Sequence, residues 1–229
     1  MANDTDMKVY SFKHYGKKFV KQCGLSPDSY IQLAMQLAYY RIHHQQPPTY
    51  ETATLRRFDE GRTETIRLPS LESEMFTYEM VDSEQDPSQT ELIHMLKFAV
   101  EQHKHYTVQA MTGSGMDRHL LGLRLAASEL GMPMPEIFTT DAYKEMMHFR
   151  LSTSQVPTDH FIAMCYGPSA PDCYGVCYNP QEKQLHFSIC TLKKCPDTSS
   201  SRFARELEHA LLDMQKLMIK AAEMYHSKI

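Results

Sequence analysis

From Ser26 the chain runs Ser-Pro-Asp-Ser-Tyr-Ile-Gln-Leu-Ala-Met-Gln-Leu-Ala-Tyr-Tyr, with apolar residues on more than one side of a helical projection. A helix with that pattern belongs in an interior rather than on a surface. Ser26 supplies an N-cap hydroxyl, and Pro27 suits the first helical position. Pro47-Pro48 forbids continuation much past His44. Earlier, Val9 to Phe12 reads as a short strand. Later, Tyr50 to Arg57 is strand-like, Gly61 marks a turn, and Asp82 to Gln89 is a polar, exposed loop. Glu91 to about Met111 has the period of a long amphipathic helix, interrupted by Gly113 and Gly115. Asp117 is placed to cap a second helix through Leu120, Leu121 and Leu125 to Leu130, closed by Gly131. A further helix is expected over Asp141–Phe149.

From Leu151 the period shortens, predicting strands over Leu151–Val156, Phe161–Tyr166, Gly175–Tyr178 and Leu185–Thr191. A last helix begins after Ser199-Ser200-Ser201, with Leu207, Leu211, Met214, Met218 and Ala221 at helical spacing. Helices, then strands, then a closing helix predict an α/β or α+β sandwich without internal repeats or a low-complexity linker.

The strand at Leu151 carries Ser152-Thr153-Ser154, three hydroxyls in a row, stopped by Pro157. Alternation sends at least one of them toward a core or a cleft. A buried hydroxyl needs a partner. Neighbouring backbone is one candidate partner; a row of donors and acceptors lining a substrate tunnel is the other reading.

Composition narrows the class. The 229 residues are 42% hydrophobic and 23% charged, ordinary for a soluble globular chain. A net charge of −4 gives no support for a nucleic-acid partner. No apolar run is long enough to span a bilayer, so any membrane contact is peripheral. The first residues contain no apolar signal core. The six cysteines form no Cys-x-x-Cys pair, which favours reduced thiols inside a cell. His43-His44 and His103-x-His105 do not combine with cysteines at zinc spacing, so no metal is expected.

Five residues or groups of residues are weighed for chemistry. Lys13, Lys17, Lys18 and Lys21 form either a solvated basic loop or a grip on a phosphate ahead of a helix N-terminus. Tyr50, Thr52 and Thr63, with Arg62, form either a surface hairpin or a cradle for a small carboxylate. Arg118 starts a helix against its dipole, which calls for a partner anion, whether a nearby Glu or a ligand. His119 has no neighbours that make a catalytic triad. Met164, inward on the expected strand, either fills the core or floors a pocket.

Several of these segments together resemble one family. Ser26-Pro27-Asp28, Gln36 to Tyr40, Thr49-Tyr50-Glu51, Gly61-Arg62, Asp117 to Leu123, Leu151 to Pro157 and Tyr174 to Pro180 are similar, in order, to the choline/carnitine acyltransferases. The likeness extends from about Phe12 to Met218. It implies a mixed β-sheet flanked by helices, the CoA-dependent acyltransferase fold, with residues 1–229 forming the C-terminal of the family's two domains. It implies acyl transfer between CoA, a co-substrate rather than a resident cofactor, and the hydroxyl of carnitine.

Residue by residue, the resemblance assigns CoA contacts to Lys17, Lys21, Asp28, Lys104 and Gln155. Lys104 stands where short-chain members have Arg, and a bidentate grip is lost. Tyr50, Thr52 and Thr63 match the carnitine site, with Thr52 in place of the usual Ser. Arg118 matches the arginine that favours carnitine over choline. Ser154 matches the hydroxyl that stabilises the tetrahedral oxyanion, and Met164 matches the bulky residue that restricts the acyl pocket to acetyl or other short groups. The family's general-base histidine and its His-x-x-x-Asp/Glu-Gly motif have no match here. The chain is therefore expected to supply the substrate-binding half, to need an N-terminal half, and to be inactive alone. A non-catalytic binding or subunit-pairing fragment is the alternative. Ser227-Lys228-Ile229 resembles the peroxisomal Ser-Lys-Leu address, and mitochondrion is the other expected compartment.

Overall fold

The computed structural model describes residues 2–160 and 162–226; the Ser227-Lys228-Ile229 expectation lies outside them. The strands are β1 (Thr5–Phe12), β2 (Thr49–Thr54), β3 (Thr63–Arg67), β4 (Leu151–Gln155), β5 (Tyr174–Pro180) and β6 (Leu185–Leu192). The helices are α1 (Lys17–Gln22), α2 (Pro27–His43), α3 (Leu71–Val81), α4 (Gln89–Met111), α5 (Asp117–Glu129), α6 (Asp141–Met147) and α7 (Ser200–His226). They form the expected α/β arrangement, a mixed six-stranded sheet in the order β1-β6-β5-β4-β2-β3. The β2–β4 and β4–β5 pairs are parallel and the others antiparallel.

The all-round apolar run became α2, with Ile31, Ala34, Met35, Leu37 and Ala38 fully buried. Ser26 caps it as expected, its hydroxyl accepting from the Ser29 backbone N–H. α2 lies against α7, whose Leu207, Leu211, Met214 and Met218 enter the same core. Tyr174, Val176 and Tyr178 of β5, with Leu185, Phe187 and Ile189 of β6, meet these helices from the sheet. Strand alternation therefore leaves Ser152 and Ser154 on the opposite face, away from α2 and α7.

Two expectations need correction, and two elements were not anticipated. Ile162–Tyr166 is irregular, not a strand, and Phe161 lies outside the described residues. The segment is a strap across the same face as Ser152: Ser188 donates to the Met164 carbonyl, Asn179 to that of His160, and the Tyr166 hydroxyl to that of Ser152. Gly175 admits it, because a Cβ there would stand 2.8 Å from the Tyr166 carbonyl. Asp117 does not cap α5. It occupies the first turn, and its carboxylate takes both Nε and Nη2 of Arg67, at 3.0 and 2.6 Å, in a buried ion pair. Finally, β3 and α3 went unread in the sequence; α3 is set by a capping box between Ser70 and Ser73.

Among the described residues, no helix is long and apolar enough to cross a membrane.

Candidate active site

The site begins where two parallel strands stop pairing. β2 and β4 are in register only at Thr49–Leu151 and Tyr50–Ser152, although β2 continues to Thr54 and β4 to Gln155. Beyond that point the sheet opens as a fork. Thr153, 1% exposed, lies at its vertex. Its hydroxyl donates to the Tyr50 carbonyl at 2.8 Å and accepts from the Gln32 amide at 2.9 Å. Ser154, the next residue, faces the other way. It is half-buried and makes no side-chain hydrogen bond among the described residues. The two readings of the Ser-Thr-Ser run thus divide along the strand: Thr153 satisfies backbone and amide, while Ser154 offers a free hydroxyl.

Two cavities meet there. A cleft of about 700 Å³ is lined by Thr52, Thr54, Arg62, Thr63, Ser154 and Gln155, among others. A recess of about 320 Å³ is lined by Lys17, Asp28, Gln155, Thr158, Asp159 and their neighbours. Gln155 and Pro157 line both. Of the residues matched to carnitine, Thr52 and Thr63 line the cleft; of those matched to CoA, Lys17 and Asp28 line the recess and Gln155 borders both spaces, while Tyr50, Arg118, Lys21 and Lys104 line neither.

Placement differs from residue to residue. Lys17 and Lys21 belong to α1, a six-residue helix of their own, rather than to a loop ahead of α2. The first α1 N–H groups are already taken by the Gln181 and Glu182 carbonyls. Both ammonium groups approach Glu182, at 3.5 and 3.8 Å, and Lys17 also lines the recess. Lys104 pairs with Glu101 one turn back on α4 and lines neither space. Tyr50 accepts from the Thr52 hydroxyl at 3.0 Å. Arg118 Nε donates to the Thr63 carbonyl at 2.9 Å, with Nη2 3.3 Å from its hydroxyl. Glu64 takes the Arg118 backbone N–H, so the arginine is seated at the cleft rim by backbone and hydroxyl. His119 is exposed on α5. Met164 is 53% exposed on the strap. It borders only a crevice of about 10 Å³ between strap and sheet, shared with Val156, Ile162, Cys177 and Phe187.

Behind the fork lies a polar network that the sequence reading missed. Tyr178 donates to Asp28 Oδ1 at 2.5 Å and receives the Gln32 amide at 3.0 Å. His103 Nε2 lies 3.0 Å from Glu51 Oε2, and its Nδ1 lies 2.8 Å from the Ser29 hydroxyl. Burial pushes Asp28 up to about 7, aided by the charge of Glu51. Burial also raises Glu51 and lowers His103 to about 4. Tyr178 is held far above the usual phenol range by burial and by the two carboxyls. Glu51, at an inward position between Thr49 and Ala53 on β2, was the available signal: a carboxylate on the core side of a strand needs partners.

Asp28, Glu51 and His103 bring polar atoms within 4.8 Å of one another, and His148, Asp172 and Cys173 do likewise. In the first group both imidazole nitrogens already have partners. In the second, Arg150 lies 3.7 Å from the Asp172 carboxylate and disfavours a cation.

The comparisons agree with this architecture. The family model for choline/carnitine O-acyltransferase matches residues 1–209. Human carnitine O-acetyltransferase is 48% identical over 95% of this chain, which covers 34% of that protein. Chicken choline O-acetyltransferase is 44% identical over 97% of this chain and 35% of its own length. The chain thus spans about a third of these relatives. Among solved structures, one titled "The crystal structure of CT" aligns with a TM-score of 0.52 at 9% identity, over 93% of this chain and 45% of that one, a likeness of fold alone. This chain belongs to the choline/carnitine O-acyltransferase family.

Proposed function

We propose that this chain forms the CoA- and acceptor-binding wall of an enzyme that transfers acetyl, or another short acyl group, between CoA and the hydroxyl of carnitine. The observation that carries this reading is the shared border of the two cavities: Gln155 and Pro157 line both, and the free hydroxyl of Ser154 opens beside them. CoA enters along the recess, with Lys17, helped by Lys21, on its phosphates and Asp28 and Gln155 along its length. Lys104 adds charge only near the outer part of CoA. Carnitine lies in the forked cleft, its carboxylate held by Tyr50, Thr52 and Thr63, with Arg118 at the rim. A cationic rim suits an acceptor that bears a carboxylate, which favours carnitine over choline.

Attack of the carnitine oxygen on the thioester carbonyl forms a tetrahedral oxyanion. Ser154 donates to that developing charge, and a donor so placed is worth about 2.7–4 kcal/mol. The general base that takes the carnitine proton is a histidine supplied from outside these residues. Collapse expels the CoA thiolate, which regains the proton. Met164 beside the small strap crevice limits the acyl group. CoA and carnitine are the only small-molecule partners in this scheme, with no resident cofactor or metal. The compartment is peroxisome or mitochondrion.

A second reading is a non-catalytic CoA/carnitine-binding or subunit-pairing fragment. Leu123, Leu125, Leu130, Met132 and Ile137 on and after α5 are all 48% exposed or more, an apolar surface suited to a protein partner. Acetyl-CoA:carnitine turnover separates the two. The chain combined with the N-terminal two-thirds of a relative turns over, and the chain alone does not. Failure of the combination to exceed the N-terminal segment alone supports the binding fragment.

A further inference from the structure

The network behind the fork joins the two cavities from the core side. Asp28 lines the recess and Glu51 the cleft, on α2 and β2 respectively. Both accept from or face the single hydroxyl of Tyr178, at 2.5 and 3.3 Å. That hydroxyl has one proton, and the shorter contact assigns it to Asp28. Gln32 cannot supply Glu51 fully, because its amide N–H groups reach Thr153 and Tyr178. Two carboxylates this close and this enclosed cannot both ionise cheaply.

We propose that Asp28 and Glu51 share one proton, that His103 is the positioning residue that holds Glu51 as the acceptor of the pair, and that CoA filling the recess draws a proton from solvent onto Asp28. This rests on the CoA reading above.

Neutral His103 that donates Nε2–H to Glu51 accepts the Ser29 hydroxyl at Nδ1, and the 3.1 Å Ser26–Ser29 hydroxyl contact is then donated by Ser26. Glu51 then stays the anion, and a proton taken up by the pair goes to the free oxygen of Asp28. The raised affinity of Asp28 for a proton and the lowered affinity of His103 have the same directions. The charged groups around the pair are few. Lys17 of α1 and Asp159, ahead of the strap, line the recess with Asp28, and Arg56 and Arg62 line the cleft with Glu51. α4 contributes His103 and β5 contributes Tyr178. Bound CoA covers Asp28 and brings phosphate charge near it; both effects favour the protonated acid.

The test is calorimetric titration of CoA into the full chain at pH 7.5, in HEPES and in Tris, which differ in ionisation enthalpy. The expected result is uptake of roughly half a proton per CoA. Dephospho-CoA preserves the uptake, which excludes the 3′-phosphate as its source, and D28N abolishes it. H103L shifts the pH midpoint of uptake by about half a unit or more, and H103Q, which keeps a donor toward Glu51, restores it. Identical heats in both buffers, or uptake unchanged in D28N, overturn the proposal while leaving CoA binding intact. Absence of any heat overturns the CoA reading instead. The pair is then read in the unliganded chain by ¹³C NMR of side-chain carboxyls. One carboxyl titrating near neutrality and lost in D28N supports the sharing, and none titrating there refutes it.

Discussion

Thr153 donates its hydroxyl to the Tyr50 carbonyl at 2.8 Å, at the point where β2 and β4 part. The bond takes over a carbonyl on β2 at the last paired position of the ladder, and the Gln32 amide satisfies the same hydroxyl from α2. T153V keeps the shape and removes both hydrogen bonds inside the core. We expect a loss of roughly 1–3 kcal/mol in urea unfolding, while T153S retains most of the stability. Equal stability of T153V and the parent chain refutes this role for the fork vertex.

Ser154 behaves oppositely. With no hydrogen bond to lose among the described residues, S154A leaves unfolding within about 0.5 kcal/mol of the parent. In the complete enzyme the same change lowers kcat about 10²–10³-fold with little effect on KM. A large stability loss, or a KM effect without a kcat effect, contradicts the oxyanion assignment.

The Arg67–Asp117 pair ties α5 to the edge strand, with side chains 12% and 4% exposed. Arg67 also donates to the Met146 carbonyl at the end of α6. Removing one partner leaves a buried charge, so D117A costs roughly 3–5 kcal/mol. The double change R67M/D117L recovers much of that in a thermal or denaturant melt. Additive losses in the double variant contradict the pairing account.

Stability also depends on pH through the buried network, with opposite signs at two positions. Asp28 has its affinity raised to about 7, so its folded form binds more protons than the unfolded chain between about 4 and 7. Its contribution is present at acid pH and is lost as pH rises through 7. His103 is lowered to about 4, so its contribution is present above the ordinary imidazole value and is lost as pH falls toward 4. D28N therefore gains on the parent chain as pH rises from 5 to 8.5. H103Q gains on it as pH falls from 7 to 4.5. The check is unfolding free energy against pH for the three proteins; parallel curves exclude both shifts.

Much of the frame was legible because it obeys local rules. Ser26-Pro27 and Pro47-Pro48 bound α2, and helical spacing from Leu207 to Met218 marks α7. The strap was misread as a strand because residues 161–166 carry a strand-like apolar pattern. Its partners are side-chain hydroxyls and single carbonyls rather than a ladder, which no periodicity reveals. The Ser-Thr-Ser run was rightly singled out, but only strand register decided which hydroxyl turned inward. The resemblance placed Asp28, Gln155, Thr52, Thr63 and Ser154, all of which line the joined cavities. It could not indicate Gln32 and His103, because their role arises from packing of α2 and α4 against the fork, at sequence separations of 121 and 52 residues from Thr153 and Glu51.

The central claim is that the recess beside Ser154 holds CoA. Titration calorimetry of CoA into the purified chain tests it most directly, with K17A and Q155A alongside. The account predicts saturable one-to-one binding at or below millimolar CoA, weakened about tenfold or more in each variant. No heat at millimolar CoA, or binding unchanged in both variants, contradicts it.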